Sequence, residues 1–290
     1  MNLSSPKAIK LIECPRDAMQ GIKEYIPTAQ KIDYINALLK VGFDTIDFGS
    51  FVSPKAIPQL RDTATVVRGL DLSKTKSKLL SIVANTRGAK EASGFDEITY
   101  LGYPFSISEI FQKRNTNHTI EESLGILDDI LDICDRKNKQ LVVYISMGFG
   151  NPYREPWDVN VVERWAEKLV DKGVKILSLS DTIGTANPES INYLFSNLIP
   201  AFPDVEFGAH LHTAPFNWRE KVESAYESGC RRFDGAIKGY GGCPMTEDEL
   251  VGNMPTEKLV SFVQELRTDH GINTLAFESA YNKALQTFPA

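Results

Sequence analysis

The sequence predicts an α/β fold, a (β/α)₈ TIM barrel with an extra C-terminal helix. Short apolar runs rich in β-branched or aromatic residues alternate with longer segments of helical period, and this alternation is typical of repeated βα units around a parallel sheet. The chain has 290 residues, which suits a barrel of ~250 residues and leaves room for loops. Because no change of composition divides the sequence, we predict one catalytic barrel domain over residues 1–290.

Eight strands and nine helices follow from the apolar periodicity. The strands are predicted at 10–15, 45–50, 78–85, 97–104, 141–147, 175–181, 205–212 and 232–238. The helices are predicted at 28–41, 54–68, 86–94, 107–137, 156–173, 188–199, 216–229 and 255–269, with the extra terminal helix at 273–287. An open, doubly wound sheet is the main alternative, but no GxGxxG turn follows the first strand to support dinucleotide binding.

Two long connections, 106–118 and 239–253, follow the fourth and eighth strands. In a barrel of this kind both lie at the C-terminal face, where active sites form. We therefore expect them to act as lids over a site.

The overall charge and the cysteines limit the classes of partner. A net charge of −6 and a pI near 5.4 argue against nucleic acid as a main partner. No apolar run approaches the ~20 residues of a membrane span, and too few residues precede the first strand for a signal peptide. The four cysteines form no CxxC pair, which is typical of a reducing compartment. We therefore expect a cytoplasmic protein.

The stretch 208–214 contains two of the four histidines, His210 and His212. Residues at i and i+2 of a strand point to the same face, and this is a spacing found in metal sites. By itself the pair is equally compatible with hydrogen-bonded core histidines or with an exposed accident of sequence.

A barrel would bring further reactive side chains to the same rim. These side chains are Arg16, Asp17, Asp47, Ser50, Ser146, Asp181, Cys243 and Asn253. Asp17, His210, His212 and Asn253 could hold a divalent cation and leave positions open for substrate oxygens. Such mixed oxygen and imidazole ligands suit Mg²⁺, Mn²⁺ or Co²⁺ better than a closed structural zinc site.

Each of these side chains also has a structural interpretation. Arg16 and Asp17 could form a surface ion pair, while Asp47 and Asp181 could cap the segments that follow them. Ser50 and Ser146 are better explained as turn residues than as nucleophiles, because neither lies in a nucleophile elbow.

Cys243 lies between Gly241-Gly242 and Pro244, that is, between a flexible segment and a rigid stop. A thiol near a cation and an arginine can transfer protons near neutral pH, although an incidental loop cysteine remains the alternative. A cation, an arginine and a mobile acid together suit the making or breaking of a carbon–carbon bond next to a carbonyl.

The chain resembles the hydroxymethylglutaryl-CoA lyase family through motifs along almost its whole length. They are Pro15-Arg16-Asp17 with Met19-Gln20, 50–55 (SFVSPK), 108–123, 180–184 (SDTIG), His210-x-His212, Gly241-Gly242-Cys243-Pro244 and Gly252-Asn253. The resemblance implies cleavage of 3-hydroxy-3-methylglutaryl-CoA to acetyl-CoA and acetoacetate in leucine degradation, with Mg²⁺ or Mn²⁺. It also implies a homodimer.

The same resemblance implies a role for each site residue. Asp17, His210, His212 and Asn253 match the metal ligands, Arg16 the arginine that stabilises the enolate, and Cys243 the loop cysteine. Asp47 and Asp181 match acidic functional positions, and His210 also matches a proton shuttle.

The chain departs from the family pattern at several positions. Asp47 replaces a glutamate, Cys14 and Ala18 replace glycines, Thr213-Ala214 replaces Asp-Thr, and 245–251 reads MTEDELV. These changes concern the acyl group and the CoA contacts more than the metal. A related lyase or aldolase acting on another hydroxyacyl-CoA or a hydroxy acid is therefore an alternative, and a non-catalytic binding barrel is a third.

Overall fold

The computed structural model describes residues 8–242, 251–267 and 270–288. Eight parallel strands close into a barrel in the order β1-β2-β3-β4-β5-β6-β7-β9. These strands are β1 (Lys10–Glu13), β2 (Thr45–Ser50), β3 (Lys78–Ile82), β4 (Ile98–Ser106), β5 (Gln140–Ser146), β6 (Ile176–Ser180), β7 (Glu206–His210) and β9 (Arg232–Gly235). The predicted TIM barrel is confirmed.

Eleven α-helices lie in the described residues. They are α1 (Pro15–Gln20), α2 (Thr28–Leu38), α3 (Thr63–Arg68), α4 (Thr86–Ala92), α5 (Glu109–Thr116), α6 (Ile120–Lys137), α7 (Val159–Asp171), α8 (Pro188–Ala201), α9 (Trp218–Glu227), α10 (Thr256–Glu265) and α11 (Thr274–Thr287). Short 3₁₀ turns occupy Pro58–Leu60 and Ile237–Gly239. The extra terminal helix is α11, which packs against α2. No helix of the described ranges is long and apolar enough to cross a membrane.

Two layers of apolar side chains hold the barrel together. Alternate strand residues point inward, where Leu80, Tyr100 and Val142 belong to a small cluster inside the barrel. Their neighbours, such as Leu79 and Leu101, belong to the much larger cluster between the sheet and the helices. This two-sided burial explains the nearly continuous apolar runs of the strands.

The predicted helix at 107–137 is two helices, α5 and α6. Asn117 adopts the left-handed conformation (φ 60°) and ends α5. Thr119 then starts α6, because its hydroxyl accepts from the Glu122 N–H while the Glu122 carboxylate accepts from the Thr119 N–H. The predicted helix at 54–68 is likewise interrupted, with a 3₁₀ turn before α3.

The predicted strand at 205–212 is also divided. β7 ends at His210, and His212 begins β8 (His212–Thr213), which pairs antiparallel with β10 (Gly252–Asn253) outside the barrel. The two histidines therefore do not share one face of one strand. The β8–β10 pair instead places Asn253 directly opposite His212.

Candidate active site and metal centre

Asp17, His210 and His212 meet at the C-terminal rim of the barrel. One ligand-type atom from each lies within 4.8 Å of the others. Asp17 is in the first turn of α1, a helix of six residues that begins with Pro15 at its first position, where the missing N–H costs nothing. Because α1 follows β1 at once, it holds Asp17 over the rim next to the ends of β7 and β8.

Asp17 is buried and surrounded by donors. Its Oδ1 accepts from Arg16 Nη1 and Gln20 Nε2, both at 2.7 Å, and its Oδ2 accepts from Asn253 Nδ2 at 2.8 Å. His210 Nε2 lies 3.9 Å from Asp17 Oδ2. Burial raises the pKa of Asp17, but Arg16, the two histidines and Asn253 outweigh that effect, so its pKa is lowered. The group is a carboxylate at neutral pH and is available as a ligand.

Arg16 is fixed between two carboxylates. Its Nε donates to Asp47 Oδ2 at 3.0 Å, its Nη2 donates to the same oxygen at 2.6 Å, and its Nη1 also donates to Gln20 at 2.9 Å. Burial lowers the pKa of Arg16, but Asp47 and Asp17 more than compensate and raise it. Arg16 is therefore a permanent, oriented cation beside Asp17.

Asp47 has no exposed surface, and burial raises its pKa to about 6 against the opposing effect of Arg16. Asp17 and Asp234 raise the pKa of Asp47 further by charge repulsion. A carboxyl group with this pKa exchanges a proton near neutral pH, which suits a general acid or base.

The pKa values of the two imidazoles are shifted in opposite directions. Burial lowers the pKa of His210, but its hydrogen bond to Asp234 and the charges of Asp234 and Asp17 raise it overall. Burial and then the neighbouring His210 lower the pKa of His212 to about 4, so His212 is neutral at pH 7. The ring centroids are 5.5 Å apart.

His212 Nε2 is buried and has no hydrogen-bond partner among the described residues. The His212 ring forms its hydrogen bond with the backbone of Thr182 instead. A neutral, buried imidazole nitrogen without a partner next to a carboxylate and a second imidazole is what a divalent cation requires. The residues present therefore fit a metal ion bound by Asp17, His210 and His212.

Asn253 lies at the same centre, but with its amide nitrogen toward Asp17. Nδ2 donates to Asp17 Oδ2 and to the Tyr240 carbonyl, both at 2.8 Å. To offer an oxygen to a cation, the amide must rotate by half a turn. Gly241 packs on this pair, since a Cβ at Gly241 would lie 2.6 Å from the Asp17 carbonyl oxygen and 2.8 Å from Asn253 Nδ2.

Asp181 lies outside the Asp17 cluster. Its Oδ1 accepts from the Ala186 N–H at 2.9 Å, and its Oδ2 accepts from Lys221 Nζ at 2.8 Å. Lys221 also donates to the His212 carbonyl at 2.8 Å. Asp181 therefore contacts the Asp17 cluster only indirectly. It holds Lys221, and Lys221 holds the backbone carbonyl of His212.

The remaining predicted residues have simpler surroundings. Ser50 Oγ donates to the Ile82 carbonyl at 3.3 Å, and the Ser146 carbonyl accepts from Ser106 Oγ at 3.4 Å. Both serines are buried at the strand ends. Cys243 lies outside the described residues.

Three polar residues of the site were not predicted. Asp234 Oδ2 forms a hydrogen bond with His210 Nδ1 at 3.1 Å, Gln20 bridges Arg16 and Asp17, and Lys221 bridges Asp181 and His212. Gln20 follows Arg16 by four residues, a helical spacing that would have indicated contact. Asp234 lies inside the predicted eighth strand, where a charged residue is unusual and therefore informative.

Comparison with known proteins gives consistent results. Residues 8–283 match the HMGL-like family. The chain is 34% identical over 264 residues to hydroxymethylglutaryl-CoA lyase YngG of Bacillus subtilis, covering 90% of this chain and 87% of that protein. It is 31% identical to the mitochondrial hydroxymethylglutaryl-CoA lyase of Bos taurus, covering 92% and 82%.

A solved structure shares the whole architecture. An HMG-CoA lyase from Acinetobacter baumannii, in complex with coenzyme A and 3-methylmalate, superposes with a TM-score of 0.89 at 30% identity. The match covers 98% of this chain and 92% of that one.

Proposed function

The chain belongs to the HMGL-like family, and from this premise we propose that it cleaves 3-hydroxy-3-methylglutaryl-CoA to acetyl-CoA and acetoacetate. The observation that carries the proposal is the convergence of Asp17, His210 and His212 beside the fixed guanidinium of Arg16. The family relationship to lyases and the chemistry of these groups both support cleavage of a carbon–carbon bond.

We propose Asp17, His210, His212 and, after rotation of its amide, Asn253 as ligands of Mg²⁺ or Mn²⁺. A bound divalent ion would orient the hydroxyl and carboxylate oxygens of the substrate and acidify the hydroxyl. The assignment of Asp17, His210 and His212 rests on their proximity and on the free Nε2 of His212, and that of Asn253 on its contact with Asp17.

The bond-breaking step needs a base, an enolate stabiliser and an acid. A base takes the hydroxyl proton, the C2–C3 bond breaks as the C3 carbonyl forms, and the electron pair passes to the thioester as an enolate. Asp47, with a pKa of about 6, is the candidate base, since Nε2 of His210 is assigned to the cation, and Arg16 holds the developing enolate oxygen. A proton added to the enolate carbon then gives acetyl-CoA.

We assign that last proton to Cys243, as the sequence predicts. Gly241, two residues earlier, packs directly on Asp17 and Asn253, which supports a place for the thiol near the reacting carbon. In Cys243→Ser we expect turnover to fall by a factor on the order of 10²–10⁴, because a hydroxyl is a much weaker acid than a thiol. Near-normal turnover would remove Cys243 from the mechanism, and unchanged Mn²⁺ affinity is the control.

The direct test is incubation of the metal-loaded protein with 3-hydroxy-3-methylglutaryl-CoA, followed by mass detection of acetoacetate and acetyl-CoA. Formation of both at equal amounts supports the proposal. If another hydroxyacyl-CoA or a free hydroxy acid is cleaved instead, the related-lyase alternative holds. We also propose a single-domain, cytoplasmic homodimer acting in leucine degradation; the three described cysteines are unpaired, in keeping with a reducing compartment.

A further inference from the structure

We propose that Asp234 is a positioning residue that selects the tautomer of His210. In this assignment His210 carries its proton on Nδ1 and donates it to Asp234 Oδ2. Its Nε2 then keeps a free lone pair directed at Asp17 and His212. The consequence for metal binding rests on the proposed function, whereas the tautomer itself does not.

The sheet register creates the contact. β7 and β9 are neighbours, and Ala209 pairs with Phe233, so the next residue on each strand, His210 and Asp234, lie side by side. The distance from His210 Nδ1 to Asp234 Oδ2 is 3.1 Å. The Asp234 side chain has no solvent exposure, so the bond is formed in a low-dielectric interior, where a charge-assisted hydrogen bond is strong.

The two nitrogens of His210 face different partners. Nε2 is the nitrogen that lies 3.9 Å from Asp17, while Nδ1 faces Asp234. The edge of the Tyr144 ring packs against the imidazole, with centroids 5.7 Å apart and planes at 83°, and this contact opposes rotation of the ring. Asp234 therefore decides which nitrogen holds the proton.

Asp234 forms no hydrogen bond with Arg232 among the described residues, although, against the lowering effect of burial, its charge raises the pKa of that guanidinium. Arg232, two residues earlier on β9 and on the same side of the strand, donates through Nη1 to Glu206 at 3.2 Å. The remaining guanidinium nitrogens of Arg232 and Oδ1 of Asp234 have no hydrogen-bond partner among the described residues. Among the described residues, the hydrogen bond with His210 is thus the one that the Asp234 carboxylate forms.

Cys14 is a second potential hydrogen-bond acceptor near His210. Its Sγ lies within 4.8 Å of the ligand atoms of His210 and Asp234. A thiol is a much weaker acceptor than a carboxylate, so it does not replace Asp234 when that residue is removed. Loss of the carboxylate therefore leaves Nδ1–H without a strong acceptor and favours the Nε2–H tautomer, in which the lone pair no longer faces Asp17.

The first experiment reads the tautomer without metal. The chain has four histidines, so ¹⁵N-histidine NMR can assign each ring by comparison with single His→Gln variants. At a pH high enough for the His210 ring to be neutral, we expect it to be protonated on Nδ1 in the native protein, and to carry a substantial Nε2–H population in Asp234→Asn and Asp234→Ala. A native His210 that is protonated only on Nε2, or a tautomer unchanged in both variants, overturns the proposal.

The second experiment measures Co²⁺ and Mn²⁺ affinity by titration of the Co²⁺ absorption spectrum and by calorimetry. We expect Asp234→Asn to weaken binding by about 10–100-fold. Ser178→Ala is the matched control, since Ser178 is also buried inside the barrel with a hydroxyl that lacks a described partner, and we expect no change there. Equal affinity in Asp234→Asn and the wild type contradicts the proposal.

The proposed metal-dependent function and the proposed role of Asp234 can be refuted separately. If the wild-type protein binds neither ion, the metal-dependent function is wrong, and the NMR measurement still decides the role of Asp234. Asp234→Asn keeps the size of the side chain, and circular dichroism confirms that each variant is folded.

Discussion

Single side chains at the rim have functions that depend on their immediate partners. His212 is neutral because it is buried beside His210, and Asp17 is ionised because Arg16 donates to it. The sequence allowed Asp17, His210, His212 and Arg16 to be predicted, since their residue types and motif spacing carry the signal. Lys221 could not be predicted, because its role arises from contacts between segments far apart in sequence, and the unusual position of Asp234 inside a predicted strand did not indicate His210 as its partner.

Replacement of either histidine by alanine should weaken the metal centre. We expect His210→Ala and His212→Ala each to lower Mn²⁺ affinity by at least ~10–100-fold, because each removes one ligand atom. Calorimetry measures the change, and His270→Ala, a histidine that no motif of the site includes, is the control. Unchanged affinity in both site variants would contradict the ligand assignment.

Arg16→Lys should reduce turnover while keeping the positive charge. A lysine cannot donate to Asp47, Asp17 and Gln20 together, so it fails to hold the cation where the enolate forms. We expect kcat at saturating Mn²⁺ to fall by a factor on the order of 10²–10³. Arg219→Lys, in an exposed pair with Glu223, should leave kcat unchanged.

At the level of elements, the periodicity predicted the strands well and the breaks between helices poorly. The strands are apolar on both faces, so their signal is strong. The break between α5 and α6 depends on a left-handed Asn117, and β8 depends on a partner strand forty residues away. Neither feature has a local apolar pattern, and α1 is too short to show one.

The Asp181–Lys221 pair connects the loop after β6 to α9 and to the backbone of His212. Lys221→Met should destabilise the protein by about 3–5 kcal/mol, because it leaves a buried carboxylate without its cation. Urea unfolding measures this cost, and Asp181→Asn combined with Lys221→Met should cost less than the sum of the single variants. The control is Lys172→Met, which removes a partly exposed pair with Asp128 and should cost under about 1 kcal/mol.

Glu13 joins the end of β1 to the segments that follow β9. Its carboxyl group accepts from the Ile237 N–H and from the Thr256 hydroxyl. Burial raises the pKa of Glu13 from 4.5 to about 8, against the lowering effect of these two hydrogen bonds. At pH 6 the folded protein therefore holds a proton that the unfolded chain has lost.

Stability linked to Glu13 should fall as pH rises from about 4.5 to about 8, because the native state binds more protons than the unfolded state in that window. We expect the difference in unfolding free energy between wild type and Glu13→Gln to change by a few kcal/mol from pH 5 to pH 8.5, in favour of the variant. Denaturant unfolding at both pH values measures it. The exposed Glu97→Gln should show no such change, and an equal response of the two variants would refute the assignment.

In the whole molecule, closure of the barrel brings residues as far apart in sequence as Asp17 and Asn253 into one site. Because the proposed ligands come from α1, β7, β8 and β10, a bound cation would connect both ends of the chain and stabilise only the folded state. The barrel and the convergence of its rim were predictable from the alternation of strands and helices. The orientation of the Asn253 amide, with its nitrogen toward Asp17, and the interior partners were not, since they depend on side-chain packing.

Mn²⁺ should therefore raise the melting temperature. At a hundred times the dissociation constant the expected stabilisation is ~2.7 kcal/mol, which corresponds to a few degrees for a chain of this size. Differential scanning calorimetry measures the shift, and chelation should reverse it. A shift that persists in His212→Ala would indicate that the ion binds elsewhere.

The two ends of the connection after β9, near Gly239 and Gly252, lie against each other. A Cβ at Gly239 would lie 2.7 Å from the Asn253 carbonyl oxygen, and one at Gly252 would lie 2.7 Å from the Gly239 carbonyl oxygen. With both ends joined in this way, the sequence of residues 245–250 can change while Gly241 and Asn253 keep their places and the proposed acid Cys243 is retained. A change of substrate preference through this segment would thus leave the proposed cation ligands intact.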